Sequence, residues 1–186
     1  MTTAVRHLTL PELEAGMAAI LLSPKDQGTL EMIVRRPAVG EREILKKGQL
    51  DLATGLVGDD WQRRESSATP DGSADRGRQL TIMNSRVASL VAQTKDRWSL
   101  AGDQLYVDLD LSVANLPPGT RLAIGSAVIE ITGLPHNGCM KFKDRYGVDA
   151  LKFVNSPTGK QLHLRGVNAK VIQPGMARVG DEVKKV

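Results

Sequence analysis

Leu116-Pro117-Pro118-Gly119-Thr120-Arg121-Leu122-Ala123-Ile124-Gly125-Ser126-Ala127-Val128-Ile129-Glu130-Ile131-Thr132 is the stretch on which the fold turns. Pro117-Pro118-Gly119 makes a turn, and Arg121 to Ile124 follows as a short strand. Gly125-Ser126 turns the chain again, and Ala127 to Thr132 reads as a second strand with acidic Glu130 set among apolar residues. Working outward, the same turn-plus-strand unit recurs. Gly102-Asp103 precedes Gln104 to Val107, Leu80 to Met83 is a short strand, and Leu30 to Arg35 is one that breaks at Pro37. Pro174-Gly175 and Gly180-Asp181 bracket a last pair, Asn168 to Gln173 and Glu182 to Val186. Short strands at roughly 8–12-residue spacing predict a mostly β protein, a barrel or a sandwich. The 18 glycines and 9 prolines spread along the chain fit many short segments better than a few long helices.

Helical patterning is confined to short stretches. Thr9-Leu10-Pro11-Glu12 reads as a capping box with Pro in the first turn, after which Leu13, Met17, Ile20 and Leu21 recur at helical spacing until Pro24. This predicts an N-terminal helical extension over residues 1–27 ahead of a β domain over residues 28–186. Arg86 to Thr94 places Val87, Leu90 and Val91 on one helical face, and Asp149 to Val154 is a further short helix. Glu65 to Gly77 has almost no apolar residue and reads as a long surface loop, a type that is often functional.

The 186 residues suit one domain, with 41% hydrophobic and 25% charged residues in an ordinary globular balance. The net charge is +4, with basic and acidic residues interleaved and only two each of Trp, Tyr and Phe. That argues against a nucleic-acid surface, which gathers its cations on one face and adds stacking aromatics. An anionic small molecule is the better partner for such a charge. Gly16 to Leu22 is too short to span a bilayer, and Glu12 and Glu14 stand where a signal peptide carries positive charge. A cytoplasmic protein without membrane contact is the expectation. A single cysteine, Cys139, excludes an internal disulfide framework or a cysteine-rich zinc module.

Cys139 is the leading candidate for chemistry. It lies in Pro135-His136-Asn137-Gly138-Cys139-Met140-Lys141-Phe142-Lys143-Asp144-Arg145, directly after the most strongly β-patterned segment. Gly138 lets the backbone turn, so the thiol is expected where a strand gives way to a turn or helix, with three cations close behind. Such neighbours favour the thiolate, the nucleophilic and metal-ligating form. The competing reading is an inert, buried cysteine. His136 is spaced for shared ligation with Cys139, but His7 and His163 are the only other histidines, so a pocket or turn residue fits it better than a zinc ligand. Of the pairs Gly58-Asp59, Gly102-Asp103 and Gly180-Asp181, the last two read as turn chemistry. Asp59, followed by Asp60, Trp61, Arg63 and Arg64, belongs to a polar cluster suited to a pocket mouth.

Taken in order, these segments resemble the MOSC domain, named for the C-terminal region of molybdenum-cofactor sulfurases. The resemblance runs from Gly28 through Gly55-Leu56-Val57-Gly58-Asp59, Gln79-Leu80-Thr81-Ile82-Met83-Asn84, Asp108-Leu109-Asp110-Leu111-Ser112 and Leu116-Pro117-Pro118-Gly119-Thr120. It continues through the cysteine loop, Arg165-Gly166-Val167-Asn168-Ala169 and Gly175-Met176-Ala177-Arg178-Val179-Gly180-Asp181. It implies a MOSC-type β-barrel with a few short helices and a role around the molybdenum cofactor (molybdopterin). Cys139 would carry sulfur as a persulfide or ligate molybdenum, possible chemistries being sulfur transfer or reduction of N-hydroxylated compounds. Lys141, Arg145, Arg165 and Arg86 are pocket candidates by chemistry, and Asp59, Asn84 and His136 complete the cofactor-binding set. A sulfurtransferase or redox partner protein would be implied. Asp71-Gly72-Ser73-Ala74-Asp75 stands where many relatives carry a His-Gly-Gly stretch. The chain has no room for a pyridoxal-phosphate desulfurase domain and no visible motif for pyridoxal phosphate, which is therefore not expected. Against this stand a non-catalytic module for molybdopterin or another anionic ligand, and an interaction protein that docks through its N-terminal helix with Cys139 in the core.

Overall fold

The computed structural model describes residues 4–186. In chain order the strands are β1 (Gln27–Arg35), β2 (Glu43–Leu45), β3 (Lys47–Asp51), β4 (Gly55–Leu56), β5 (Leu80–Asn84), β6 (Leu105–Asp108), β7 (Arg121–Ile124), β8 (Ala127–Ile131), β9 (Val167–Gln173), β10 (Gly175–Arg178) and β11 (Glu182–Lys185). The helices are α1 (Leu10–Ala15), α2 (Met17–Leu21), α3 (Ser85–Ala92), α4 (Met140–Tyr146), α5 (Val148–Asn155) and α6 (Pro157–Gln161). The opening stretch forms the antiparallel pair β7–β8, with Ile124 opposite Ala127 across a turn whose Gly125 has φ +58°. A side chain at Gly125 would also run into the Met176 carbonyl.

Pairing proceeds β11-β7-β8-β9-β5-β6-β1, and β1 pairs with β11, so the sheet closes into a seven-stranded barrel. Closure removes the exposed strand edges that would otherwise template aggregation. Only β5 and β6 run parallel, because α3 carries the chain over between them. β2 extends the far end of β1, and β10-β3-β4 form a small second sheet.

Two apolar clusters fill the molecule. Inside the barrel, Leu30, Ile33, Ile82, Val107, Ile129 and Val171 are solvent-free or nearly so. Outside it, Met32, Val34, Met83 and Tyr106 turn the opposite strand faces toward Leu13, Val87, Phe142 and Phe153 of the helices. β1 serves both clusters by the alternation of its side chains, and its register against β6 slips between Leu30 and Met32. That bulge lets Leu30 and Ile33, three residues apart, face the same side.

The N-terminal run predicted as one helix is two, α1 and α2, joined at Gly16. A side chain at Gly16 would lie 2.5 Å from Leu90 on α3, so the segments meet by close backbone approach. Glu12 reaches back to accept from the Thr9 N–H at 2.8 Å, as the capping-box pattern anticipates. The residues between Pro37 and Asp59 hold three short strands that their charged, glycine-broken sequence concealed. β10 likewise occupies Gly175–Arg178, read from sequence as connection. Among the described residues no helix is long and apolar enough to cross a membrane.

Candidate functional site

The loops after β1, β4 and β8, those before β6 and β9, and helix α4 surround a cavity of about 790 Å³. Two carboxylates with buried side chains, Asp103 and Asp59, stand behind its wall. Asp103, just before β6, is fully buried and accepts from Arg165 Nη1 at 2.6 Å and from His136 Nε2 at 3.0 Å. Burial alone would raise its pKa, but the Arg165 charge and the His136 contact hold it down at about 2. His136 is itself shifted down, first by burial and then by repulsion from Arg165, so its ring is neutral at pH 7. With Nε2–H donating to an ionised carboxylate, Nδ1 is left as the lone-pair acceptor.

Asp59 plays the matching part behind β1. Its carboxylate accepts from Arg36 Nε at 2.9 Å and Nη2 at 2.6 Å, and from the backbone N–H groups of Arg36 and Trp61. These contacts overcome burial and hold Asp59 below the usual carboxylate range. Both acids thus fix a guanidinium, Arg36 or Arg165, that lines the cavity. Each is a buried pair, so losing either partner strands a charge.

The thiol is set by two neighbours. Cys139 is the N-terminal flanking residue of α4, is exposed to solvent, and lines the same cavity. Asn155 of α5 clamps the preceding residue, its Oδ1 accepting from Gly138 N at 2.8 Å and its Nδ2 donating to Gly138 O at 3.0 Å. Gly138 is not in the left-handed region; it is glycine because a Cβ would sit 2.8 Å from Leu151 and 2.9 Å from Val154. Close packing on α5, not a sharp turn, is the role of that glycine. Exposure of Cys139 overturns the reading of a cysteine buried in the core.

His136, Lys141, Arg145, Arg165 and Cys139 share the cavity, while Asp59 supports it from behind. Asn84 and Arg86 stand elsewhere. Asn84 is buried, caps α3 by accepting from Arg86 N, and donates to Ser23 Oγ and Leu109 O. Arg86 pairs with Asp108 and donates to Ala19 O, tying α2 to the barrel. Both make structural contacts outside the cavity, and a helix-capping Asn with a half-buried arginine beside it is indistinguishable from a pocket pair in sequence. Asp103, read from sequence as a turn residue, is instead the central buried acid. Trp61 and Arg64, placed by sequence in the pocket-mouth cluster, line the cavity, as do Arg36, Arg42 and Arg78, which were not singled out by sequence. The polar loop over 65–77 borders the cavity through Glu65, Ser66 and Asp75.

Among the described residues, no group of three or more His, Cys, Asp or Glu side chains is placed to hold a metal ion. A metal bound to Cys139 would have to arrive with its other ligands. An exposed soft thiol beside guanidinium donors fits a metal already ligated within an anionic cofactor.

Comparison with curated proteins returns no match. Several crystal structures share the fold. The YuaD protein of Bacillus subtilis superposes with a TM-score of 0.63 at 16% identity, over 86% of this chain and 95% of its own. YiiM of Escherichia coli gives a TM-score of 0.53 at 18% identity, over 85% of this chain and 69% of its own. YiiM of Geobacillus stearothermophilus gives 0.51 at 13%, over 86% of this chain and 73% of its own. Identities this low carry the fold and nothing further. The family model for the MOSC domain matches residues 78–184, which include the central strands, the cysteine loop and the closing strand. With more than half its length under that model, the chain belongs to the MOSC domain family.

Proposed function

We propose that the cavity binds a molybdenum-pterin cofactor through its cations and presents Cys139 to the sulfur-ligated metal. The observation that carries this reading is the placement of the chain's one thiol, exposed, on the wall of a cavity lined by seven Arg and Lys side chains. The family's association with the molybdenum cofactor supports it. When bound, such a cofactor supplies a metal centre able to exchange electrons with a substrate.

The chain's own contribution is binding, orientation and proton placement. Arg36 and Arg165, each fixed by a buried carboxylate, present guanidinium edges to an anion without having to be ordered by it. His136 keeps a neutral ring with Nδ1 free to accept a proton or hydrogen bond. Cys139 lies outside the packed core, so a ligand or partner protein reaches Sγ directly. That access suits two roles, ligation of molybdenum and carriage of sulfane sulfur.

The test is expression in a host that makes the cofactor, followed by metal analysis, pterin fluorescence and cyanide-releasable sulfur, with Cys139→Ser beside wild type. Wild type should carry molybdenum and pterin. If Cys139 is a ligand, the variant keeps pterin fluorescence and loses most of its molybdenum. If it is a sulfur carrier, the variant keeps both and loses cyanide-releasable sulfur. Wild-type protein from that host with neither molybdenum nor pterin sinks the proposal.

A further inference from the structure

We infer that Arg42 and Arg145 form a subsite for a phosphate dianion over Gly102, at the end of the cavity wall that precedes β6. The inference rests on the reading of the cavity as an anion site, but not on which molecule fills it.

Four successive backbone carbonyls at the end of the 3₁₀ segment Lys95–Ala101 each hold a different arginine. Ser99 O accepts from Arg42 Nε at 3.2 Å, and Leu100 O from Arg145 Nη1 at 2.6 Å. Ala101 O accepts from Arg165 Nη2 at 2.8 Å, and Gly102 O from Arg36 Nη1 at 3.1 Å. The carbonyl dipoles draw four cations to one place, although they neutralise none of them. Two of the four are then neutralised by buried acids, Arg36 by Asp59 and Arg165 by Asp103. Arg42 and Arg145 have no carboxylate within 4 Å among the described residues.

These two guanidinia converge. A Cβ placed on Gly102 would lie 3.4 Å from Arg42 Nη2 and 3.8 Å from Arg145 Nη1, so the groups are no further apart than those distances combined. One phosphate bridges such a span, with N···O hydrogen bonds of about 2.8 Å on each side. Gly102 has φ +88° and no side chain, which leaves the space between them open. The arrangement is costly without an anion. Burial first, and then the charges of Arg145 and Arg36, press the Arg42 guanidinium below its ordinary proton affinity. Glu65, Asp75 and Asp144 also line the cavity, opposed by the seven Arg and Lys side chains of its wall. A dianion with fork-compatible oxygens answers both the charge and the geometry.

The phosphate could belong to the cofactor or to a phosphorylated substrate, and the experiment separates them. Full-length protein is titrated calorimetrically with inorganic phosphate at low and moderate salt, using wild type, Arg42→Gln, Arg145→Gln and Arg121→Gln. Arg121 sits on β7 against Glu130, away from the cavity. Each of the first two variants should bind phosphate at least tenfold more weakly. Arg121→Gln should bind like wild type, and affinity should fall as salt rises. Arg42→Lys and Arg145→Lys, which keep the charge and lose the fork, should fall between; they also serve if a Gln variant fails to fold. Wild type that does not bind phosphate, or Gln variants that bind it equally well, overturn the inference. Displacement of bound phosphate by a pterin phosphate but not by a nucleoside monophosphate assigns the subsite to the cofactor, and the reverse assigns it to a substrate. Should pterin copurify while the Gln variants titrate as wild type does, this subsite fails and the proposed function stands. Should phosphate binding depend on both arginines with no pterin or molybdenum in the protein, the subsite stands and the proposed function fails.

Discussion

The barrel interior and the cavity wall are built from opposite materials. Inside the barrel, Leu30, Ile82, Ile129 and Val171 interlock with no polar partner to satisfy, and each contributes through area removed from water. At the cavity, the side chains of Asp59, Asp103, Arg36 and Arg165 are also buried or nearly so, yet each depends on a named partner. Apolar packing loses stability in proportion to the gap left, because neighbours relax into it only in part. A broken buried ion pair costs in another way, because its surviving member keeps the desolvation cost without the attraction. The molecule therefore places its partner-dependent interactions around the cavity.

The largest expected effect breaks this comparison directly. Asp103→Ala should cost about 3–5 kcal/mol in denaturant unfolding, since Arg165 is left buried and charged and His136 loses its acceptor. Ile129→Ala inside the barrel should cost about 2–5 kcal/mol by cavity formation. The two should differ in kind. Ile129→Ala should leave phosphate titration unchanged, whereas Asp103→Ala should weaken it. Equal ligand binding by both variants would show that wall and barrel are not functionally separate.

A smaller effect is set by pH. The folded pKa of Asp103 is about 2, against an ordinary 3.8, so the unfolded chain takes up this proton first. Its contribution is complete above pH 3.8 and is lost as pH falls through the folded value, amounting to about 2 kcal/mol. His136, shifted down from 6.5, acts in the same direction and begins to weaken the fold as pH drops below that ordinary value. Unfolding free energy measured from pH 8 to pH 2.5 should fall in two stages. In Asp103→Asn the lower stage should be missing; its persistence would assign the acid transition to other carboxylates.

The smallest effect tests how the thiol is held. Gly138→Ala should cost on the order of 1 kcal/mol, because the Leu151 and Val154 methyls it meets can partly yield. Its clearer signature is chemical: the rate of Cys139 alkylation should change as the clamp by Asn155 loosens. An unaltered rate would mean that the thiol's setting does not depend on α5.

Much of the fold was readable beforehand. The runs at Leu80, Arg121, Ala127 and Asn168 became barrel strands because apolar residues bounded by turns at short spacing have few other ways to bury themselves. The strands at Glu43–Leu45 and Lys47–Asp51 were not readable, since the first is only three residues long, the second is largely polar, and both pair outside the closed ring of strands. At the site, Cys139, His136, Lys141 and Arg145 were named from one segment and Arg165 from its chemistry alone, and all five line the cavity. Asp103 was not, because Gly-Asp reads as a turn until Arg165 and His136, 62 and 33 residues away, arrive beside it.

The sequence by itself determined a mostly β chain and singled out Cys139, because strand periodicity and residue rarity are local properties. Only the tertiary structure decided that the strands close on themselves, that the thiol faces solvent, and which charges pair in the wall. Those outcomes depend on which distant segments share a boundary. A carboxylate's role is set by the cation that shares its burial, and that cation is chosen by the topology of the barrel.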